Sequence, residues 1–210
     1  MPELDYIEED VLIRASQGDR DSFGLLYERY AERIFNYVYY RTGNVHDAED
    51  LTARVFQRAM KFNAAFIATC RRVLARVPDS RLFLKGDYSD AFQRDLRAAF
   101  VDEGTRVAIH GVTSQLDHLR AYSDVDLCLD TFPQTGGITT CEALSMGVPC
   151  VTLMGDRIIQ RASASILTAV GFTAFIAVDV EQYVDKAVSW VTRYREELAV
   201  CRMVARLRLQ

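Results

Sequence analysis

A segment rich in glycine and threonine near the middle of the chain carries the residues best suited to ligand chemistry. Gly136 and Gly137 lack side chains, so the backbone there can approach a bound molecule closely. Thr139 and Thr140 follow where a helix would begin, and they place hydroxyls beside backbone N–H groups that favour anions such as a diphosphate. Glu142, in the first turn, could accept hydrogen bonds from a ribose diol. A capped helix after a tight turn, without any ligand, explains the same spacing equally well.

The cysteines and histidines indicate neither a metal site nor disulfides. None of the five cysteines forms a CxxC pair, and the three histidines lie at no spacing typical of metal ligands. An odd number of cysteines in apolar contexts is typical of reduced, buried thiols. We therefore expect no metal and no cofactor.

Length and composition restrict the class of protein. The chain has 210 residues, half of them apolar, which suits one medium domain or two small ones. The composition excludes disorder, collagen-like repeats and a coiled-coil rod. No uncharged apolar run approaches the roughly 20 residues of a membrane helix, and the acidic first residues lack the features of a signal peptide. We expect a cytoplasmic protein that does not bind membranes.

Charge is distributed unevenly along the chain. Residues 1–60 carry a net charge of −5, whereas residues 61–210 carry +1. An acidic segment is a poor electrostatic match for DNA phosphates, so direct DNA binding is not expected. The asymmetry also indicates that two unlike pieces meet near residue 60.

Periodicity in the first sixty residues predicts helices throughout. We expect a short helix over 8–17, then a hairpin of two helices over 19–43 and 44–59, with Asp19 capping the first helix of the hairpin. Apolar and aromatic residues recur at spacings of three and four along that helix and so trace one face. Most tyrosines lie on this face, so we expect them to pack in the core rather than stack on bases. The five tyrosines of this helix are Tyr27, Tyr30, Tyr37, Tyr39 and Tyr40.

From residue 61 onward, short apolar runs alternate with helical patterns. The predicted strands cover 81–85, 106–110, 125–129, 150–154 and 175–178. Helices are predicted between them, before the first strand over 63–76, and as one helical stretch over 181–208. Strands separated by helices predict right-handed crossovers and a parallel α/β sheet.

This second segment closely resembles the carboxy-terminal half of bacterial O-linked N-acetylglucosamine transferase-like proteins, the SPINDLY group of GT-B glycosyltransferases. The resemblance covers about 61–195, and its blocks are KFNAAFIATCRRVLARVPDSRLFLK, HLRAYSDVDLCLDTFPQTGGITTCEALSMGVPCVTLMGD and RASASILTAVG. It implies a Rossmann-like domain that binds the UDP part of UDP-N-acetylglucosamine without a metal. It also implies inverting, metal-independent transfer where a complementing acceptor half is present.

The resemblance implies particular roles for particular residues. Lys61 matches the lysine that contacts the diphosphate and helps the leaving group depart, whose charge would stabilise the transition state. His118 matches a histidine that packs near the base, Thr139 a diphosphate ligand and Glu142 the ribose-binding acid. Without the resemblance, we would interpret Lys61 as a solvated lysine and His118 as a histidine on a helix surface.

The segment also departs from that family. The central strand that normally precedes Lys61 is absent, and so is the half that supplies the catalytic histidine and the acceptor groove. Transfer requires both halves to enclose donor and acceptor. We therefore expect donor binding without complete catalysis by this segment alone.

Residues 10–60 resemble region two of extracytoplasmic-function sigma factors, through LIRASQGDRDSFGLLYERYAERIFNYVYYRTGN and HDAEDLTARVFQRA. The resemblance implies docking on the clamp helices of the RNA polymerase β′ subunit, steered by charge. The residues that would dock are Asp47, Glu49, Asp50, Arg54 and Gln57. A solvated helix face is the plain alternative. The downstream helix that reads promoter DNA is missing, so promoter recognition is not expected.

Together these features predict two domains, 1–60 and 61–210. The predicted fold is a truncated Rossmann-like parallel sheet, the GT-B carboxy-terminal half, preceded by an all-α helical hairpin. The leading hypothesis is a hybrid that binds UDP or UDP-N-acetylglucosamine. The alternatives are a transcription module that docks on RNA polymerase, and an inactive recombination remnant or artificial fusion.

Overall fold

The computed structural model of the chain describes residues 20–86 and 88–208. The helix predicted over 8–17 and the capping role of Asp19 lie outside these residues. The chain divides into two units: the first runs to Phe66 and includes Phe132–Gln134, and the second comprises Ile67–Thr131 and Thr135–Gln210. The predicted boundary after residue 60 stays a prediction.

The first unit contains the expected helical hairpin. Helix α1 spans Arg20–Thr42 and helix α2 spans Val45–Lys61. Gly43 ends α1 with φ of +65°, a conformation that glycine adopts without strain. Asn44 caps α2, because its Oδ1 accepts hydrogen bonds from two backbone amides at 2.9 and 3.3 Å.

The core of the hairpin is built around Phe56. Its ring lies 6.0 Å from that of Phe23 and 4.7 Å from that of Tyr27. The expectation that most tyrosines of α1 pack in the core is wrong, because four of the five expose at least 41% of their surface, although Tyr27 also contacts Phe56. The exposed tyrosines are Tyr27 (50%), Tyr37 (60%), Tyr39 (41%) and Tyr40 (95%).

Helix α3, Ala64–Arg76, crosses the boundary between the units. In the first unit, Asn63 caps it by accepting a hydrogen bond from the Phe66 amide at 2.9 Å. The same side chain donates to the Phe132 carbonyl oxygen at 2.6 Å. Phe132 also packs edge-on against Phe66 at 5.5 Å, which explains why the short segment after Thr131 groups with the first unit.

The second unit contains five short parallel strands. They are β1 (Leu82–Lys85), β2 (Val107–His110), β3 (Cys128–Leu129), β4 (Cys150–Leu153) and β5 (Ile176–Ala177). β1 pairs with β2, and β3, β4 and β5 form a second sheet in that order. The predicted parallel α/β class is confirmed, but the strands form two sheets rather than one, and each is shorter than predicted.

The two sheets follow the strand order of a doubly wound fold that lacks its first strand. The usual order of such a fold is 3-2-1-4-5-6. With the missing strand counted as the first, β1 and β2 take the second and third places and β3, β4 and β5 the remaining ones. Within the described part of the chain, β1 and β3 therefore each keep one edge without a strand partner.

Six further α-helices lie in the described part of the second unit. They are α4 (Asp90–Ala99), α5 (Gln115–Arg120), α6 (Ile138–Ser145), α7 (Ala162–Ala169), α8 (Val180–Thr192) and α9 (Arg195–Arg208). The carboxy-terminal stretch predicted as one helical segment is thus divided into α8 and α9. The division lies at Arg193 and Tyr194, whose amides both donate to the Ser189 carbonyl oxygen at 2.9 Å.

Ion pairs connect the part of α3 in the second unit to elements beside each of the two sheets. Its arginines bind the turn before β2 on one side and α8 on the other. The pairs are Arg71 with Asp102 (2.5 Å) and Glu103 (2.7 Å), Arg72 with Glu181 (2.5 Å) and Arg76 with Asp185 (2.5 Å). The opposite side of α3 is buried, with Cys70 and Leu74 at 1% and 3% exposure.

The interior of the second unit is aromatic and aliphatic. Phe175 stacks on Trp190 at 4.3 Å, and Tyr183 is wholly buried. All five cysteines are free; Cys70 and Cys150 are buried, and burial raises the pKa of the Cys70 thiol to about 12. Among the described residues, no helix is long and apolar enough to cross a membrane, and no cluster of side chains suits a metal ion.

Candidate functional site

The glycine and threonine segment lies where a parallel sheet usually binds ligands. The chain leaves the carboxyl end of β3 at Asp130 and reaches the start of α6 at Gly137. In open parallel sheets, ligands bind beyond the carboxyl ends of the strands. The segment that the sequence singled out therefore occupies the expected edge of the β3–β5 sheet.

The two glycines are required for different reasons. Gly137 has φ of +91°, a conformation that other residues rarely adopt. A side-chain carbon at Gly136 would lie 2.4 Å from Thr140 Oγ1 and 2.8 Å from Thr139 Oγ1, closer than atoms can approach. Both glycines thus serve the turn itself, and close approach to a ligand stays a prediction.

Helix α6 begins without a side-chain cap. Its N-cap residue is Gly137, and its first α-helical bond runs from the Cys141 amide to the Gly137 carbonyl oxygen at 3.1 Å. The amides of Ile138 and Thr139 therefore have no acceptor inside the helix. Such amides carry partial positive charge, which attracts an anion.

The two threonine hydroxyls point to different surroundings. Thr139 is exposed, so its hydroxyl is accessible beside the free amides. Thr140 is 2% exposed, and its Oγ1 lies 2.8 Å from Ser163 Oγ on α7. Thr140 therefore fastens α6 to α7, while its predicted contact with a ligand stays a prediction.

His118 and Glu142 lie together although 24 positions separate them in sequence. His118 Nε2 is 3.4 Å from Glu142 Oε2, and the two side chains are 31% and 27% exposed. The His118 ring also packs edge-on against Tyr122 at 5.5 Å, and burial raises the pKa of that tyrosine above its usual value. The structure thus unites two of the predicted substrate-binding residues at one partly open position.

The remaining predicted residues belong to the first unit. Lys61 is the last residue of α2 and is half-buried, and its assignment as the phosphate lysine stays a prediction. The five residues predicted to dock on polymerase all lie on α2 and are all exposed. They are Asp47, Glu49, Asp50, Arg54 and Gln57. Arg54 lies 4.0 Å from Asp50, so the two charges partly compensate each other.

Sequence reasoning missed a buried polar network beneath the glycines. Asp130 Oδ1 accepts a hydrogen bond from the Gly136 amide at 2.8 Å, and its Oδ2 accepts one from Thr152 Oγ1 at 2.6 Å. The Tyr183 hydroxyl donates to the Asp130 carbonyl oxygen at 2.9 Å. A carboxylate directly after an apolar strand was the available signal, because buried carboxylates require partners.

Comparison with known proteins identifies the family. The model of glycosyl transferase family 41 matches residues 49–210, which is most of the chain. This chain belongs to glycosyl transferase family 41. Family 41 relatives include probable UDP-N-acetylglucosamine–peptide N-acetylglucosaminyltransferases named SPINDLY. The one from Hordeum vulgare is 34% identical over 146 residues, covering 65% of this chain and 15% of the relative. The one from Arabidopsis thaliana is 34% identical over 142 residues, covering 63% and 15%.

A solved family 41 structure agrees with the fold. A lysine-to-methionine mutant of the O-GlcNAc transferase from Thermobaculum terrenum superposes with a TM-score of 0.66 and 30% identity. The match covers 70% of this chain and 29% of that chain. The chain spans about 15% of the length of the SPINDLY relatives from Hordeum vulgare and Arabidopsis thaliana.

A second family matches the helical hairpin. The model of sigma-70 region 2 matches residues 26–68. The ECF RNA polymerase sigma factor BldN of Streptomyces coelicolor is 42% identical over 52 residues, which is 25% of this chain and 20% of that protein. Both resemblances seen in the sequence are therefore confirmed. The two family matches overlap over residues 49–68, which include most of α2 and the start of α3.

Proposed function

We propose that the second unit binds a UDP-sugar of the UDP-N-acetylglucosamine type at the start of α6. The observation that carries the proposal is the uncapped start of this helix, behind Gly136 and Gly137, in a chain of glycosyl transferase family 41. Its SPINDLY relatives are named for UDP-N-acetylglucosamine as donor. A diphosphate is among the anions that free amides at the start of a helix bind.

Each nearby side chain has a role suited to its surroundings. The diphosphate would accept hydrogen bonds from the Ile138 and Thr139 amides and from the exposed Thr139 hydroxyl. Glu142 would accept hydrogen bonds from the ribose. His118, held 3.4 Å from Glu142, would pack beside the base.

We further propose that this chain binds the donor without completing transfer by itself. The region of similarity covers 15% of the Hordeum vulgare relative, so most of that protein lies outside it. Productive transfer requires donor and acceptor to be held together. A complementing protein that supplies an acceptor site would be needed for activity.

Calorimetric titration with UDP, UMP and uridine tests the proposal. Recognition of the diphosphate predicts that UDP binds more tightly than UMP, and UMP more tightly than uridine. Thr139→Val keeps the side-chain shape and removes the exposed hydroxyl, so it should weaken UDP binding about fivefold to tenfold. Thr105→Val, at an exposed position in the same unit, is the matched control and should leave affinity unchanged. Absence of heat at millimolar UDP would reject the proposal.

A second candidate function concerns the first unit. We propose that α2 docks on the clamp helices of the RNA polymerase β′ subunit, because the sigma-70 region 2 match covers this helix and its acids are exposed. The surface of α2 also exposes Leu51 (40%) and Val55 (45%), which supply apolar area beside the charges. Charges of this kind set the rate and orientation of docking, and apolar contacts prolong it.

Binding to a purified β′ clamp-helix fragment tests this second candidate. Asp50→Lys reverses one exposed charge on α2 and should weaken binding most strongly at low salt. Asp95→Lys makes the same charge change on the exposed surface of α4 and should leave binding unchanged. Equal binding by all three proteins would reject docking through α2.

A further inference from the structure

Asp130 is fixed by two rigid elements and reaches a third. The residue is 6% exposed and lies directly after β3. Thr152 on β4 donates to its carboxylate, and Tyr183 on α8 donates to its carbonyl oxygen; both partners are wholly buried. The other carboxylate oxygen, Oδ1, holds the Gly136 amide. A rigid anchor is thus connected to the turn before α6.

The bond to Gly136 decides which amides remain for a ligand. Because the Gly136 amide donates to Asp130 at 2.8 Å, it is directed into the protein and is not available to an anion. The next amides without an acceptor in the helix are those of Ile138 and Thr139. Because Thr152 and Tyr183 hold Asp130 in place, its bond to the Gly136 amide fixes the orientation of the turn.

A second bond fixes the other end of the same turn. Thr140 is held by Ser163 at 2.8 Å, one residue beyond the free amides. The first attachment is at Gly136, Gly137 follows it directly, and glycine has the greatest backbone freedom of any residue. Without the bond from Asp130, the turn would therefore sample other conformations while the helix stayed attached to α7.

We infer that Asp130 is a positioning residue of the proposed donor site. By holding the Gly136 amide, it keeps the free amides at the start of α6 in the orientation that a diphosphate requires. The inference rests on the proposed function for its meaning, but the bond itself is a property of the ligand-free protein. Asp130 acts through the backbone and does not touch the donor.

The experiment measures two quantities on the full chain: hydrogen exchange of the Gly136 amide without ligand, by NMR, and UDP affinity by calorimetry. Asp130→Ala removes the acceptor and should lower amide protection and UDP affinity about tenfold each. Asp130→Asn keeps one acceptor oxygen and should restore most of both. Thr152→Val keeps its volume, frees one side of the carboxylate and should give an intermediate loss, which provides a readout where Asp130→Ala does not fold.

Leu96→Ala is the control for general loss of stability. Leu96 is buried in α4 and outside the network, so its truncation should lower the unfolding temperature without changing Gly136 protection or UDP affinity. Unchanged protection in Asp130→Ala would overturn the inference alone. Lower protection with unchanged UDP affinity would also overturn it. Failure of the wild-type protein to bind UDP would overturn the inference together with the proposed function.

Discussion

Replacement of Gly136 by alanine tests the geometry of the turn before α6 most directly. The added carbon would lie 2.4 Å from Thr140 Oγ1, 2.8 Å from Thr139 Oγ1 and 3.2 Å from Asp130 Oδ1. Thr139 is exposed and can rotate away, but Thr140 is buried and bonded to Ser163. The φ of Gly136 is not positive, so crowding rather than backbone strain opposes the alanine.

The expected loss of stability follows from the contacts that Thr140 would lose. Forcing a methyl group into a packed site lowers the free energy of unfolding by about 1–3 kcal/mol. If Thr140 rotates instead, two buried hydroxyls lose their shared hydrogen bond, which costs about 1–3 kcal/mol. Either route gives about 2 kcal/mol, and the displaced start of α6 should weaken UDP binding about tenfold.

Urea denaturation followed by circular dichroism provides the assay. Gly111→Ala is the matched control, because no atom lies within 4 Å of the added carbon and its φ is not positive. It should change the free energy of unfolding by less than about 0.5 kcal/mol. The double variant Gly136→Ala, Thr140→Ala should be more stable than the sum of the two single changes predicts, since the crowded oxygen is gone. Equal stability of Gly136→Ala and Gly111→Ala would refute the reasoning.

Three further predictions concern stability. Gly24→Ala, inside α1 with open space around the added carbon, should raise the free energy of unfolding by about 0.5–1 kcal/mol, measured as a higher melting temperature; a decrease would contradict the helix. Phe56→Ala should lower the free energy of unfolding of the hairpin by about 3 kcal/mol in urea, whereas its half-exposed neighbour changed by Val55→Ala should have little effect; equal effects would disprove the core described around Phe56. Burial raises the pKa of Cys70 and of Cys128 from 9.0 to about 12. The unfolded chain therefore loses these protons first, and stability present below pH 9 falls as the pH rises. The loss is about 1.4 kcal/mol per thiol at pH 10, and Cys70→Ala should remove its share of the pH dependence in urea denaturation at pH 8 and pH 10.

Local patterns predicted the elements of this fold better than their ends. Apolar spacing identified the hairpin and the five strands, because period and composition are properties of neighbouring residues. It did not predict the division after Thr192, where neither glycine nor proline marks the end of α8. The predicted strands were also too long, because pairing with another strand, and not the sequence period, decides where a ladder ends.

Predictions that depend on distant partners succeeded least. A period marks one face of α1 but cannot reveal how much of that face a partner covers, and four of the five tyrosines of α1 are exposed. Asp130 was missed because its partners Thr152 and Tyr183 lie 22 and 53 positions away. The proximity of His118 and Glu142 was anticipated only through a family resemblance, since nothing in local spacing unites them.

Two sheets without a common ladder need not open together. Proteins unfold locally in cooperative units, and backbone ladders define much of each unit. Since β1 and β2 share no ladder with β3–β5, their exposure to solvent breaks no strand pairing in the other sheet. What couples them includes α3, through its partly buried ion pair with Glu103 and its exposed ion pair with Glu181, and the exposed pair weakens with added salt. A nucleotide bound at α6 should therefore slow amide exchange in β3–β5 and leave exchange in β1 and β2 unchanged. We expect hydrogen exchange to give two free energies of opening for this chain, whereas an uninterrupted sheet would give one.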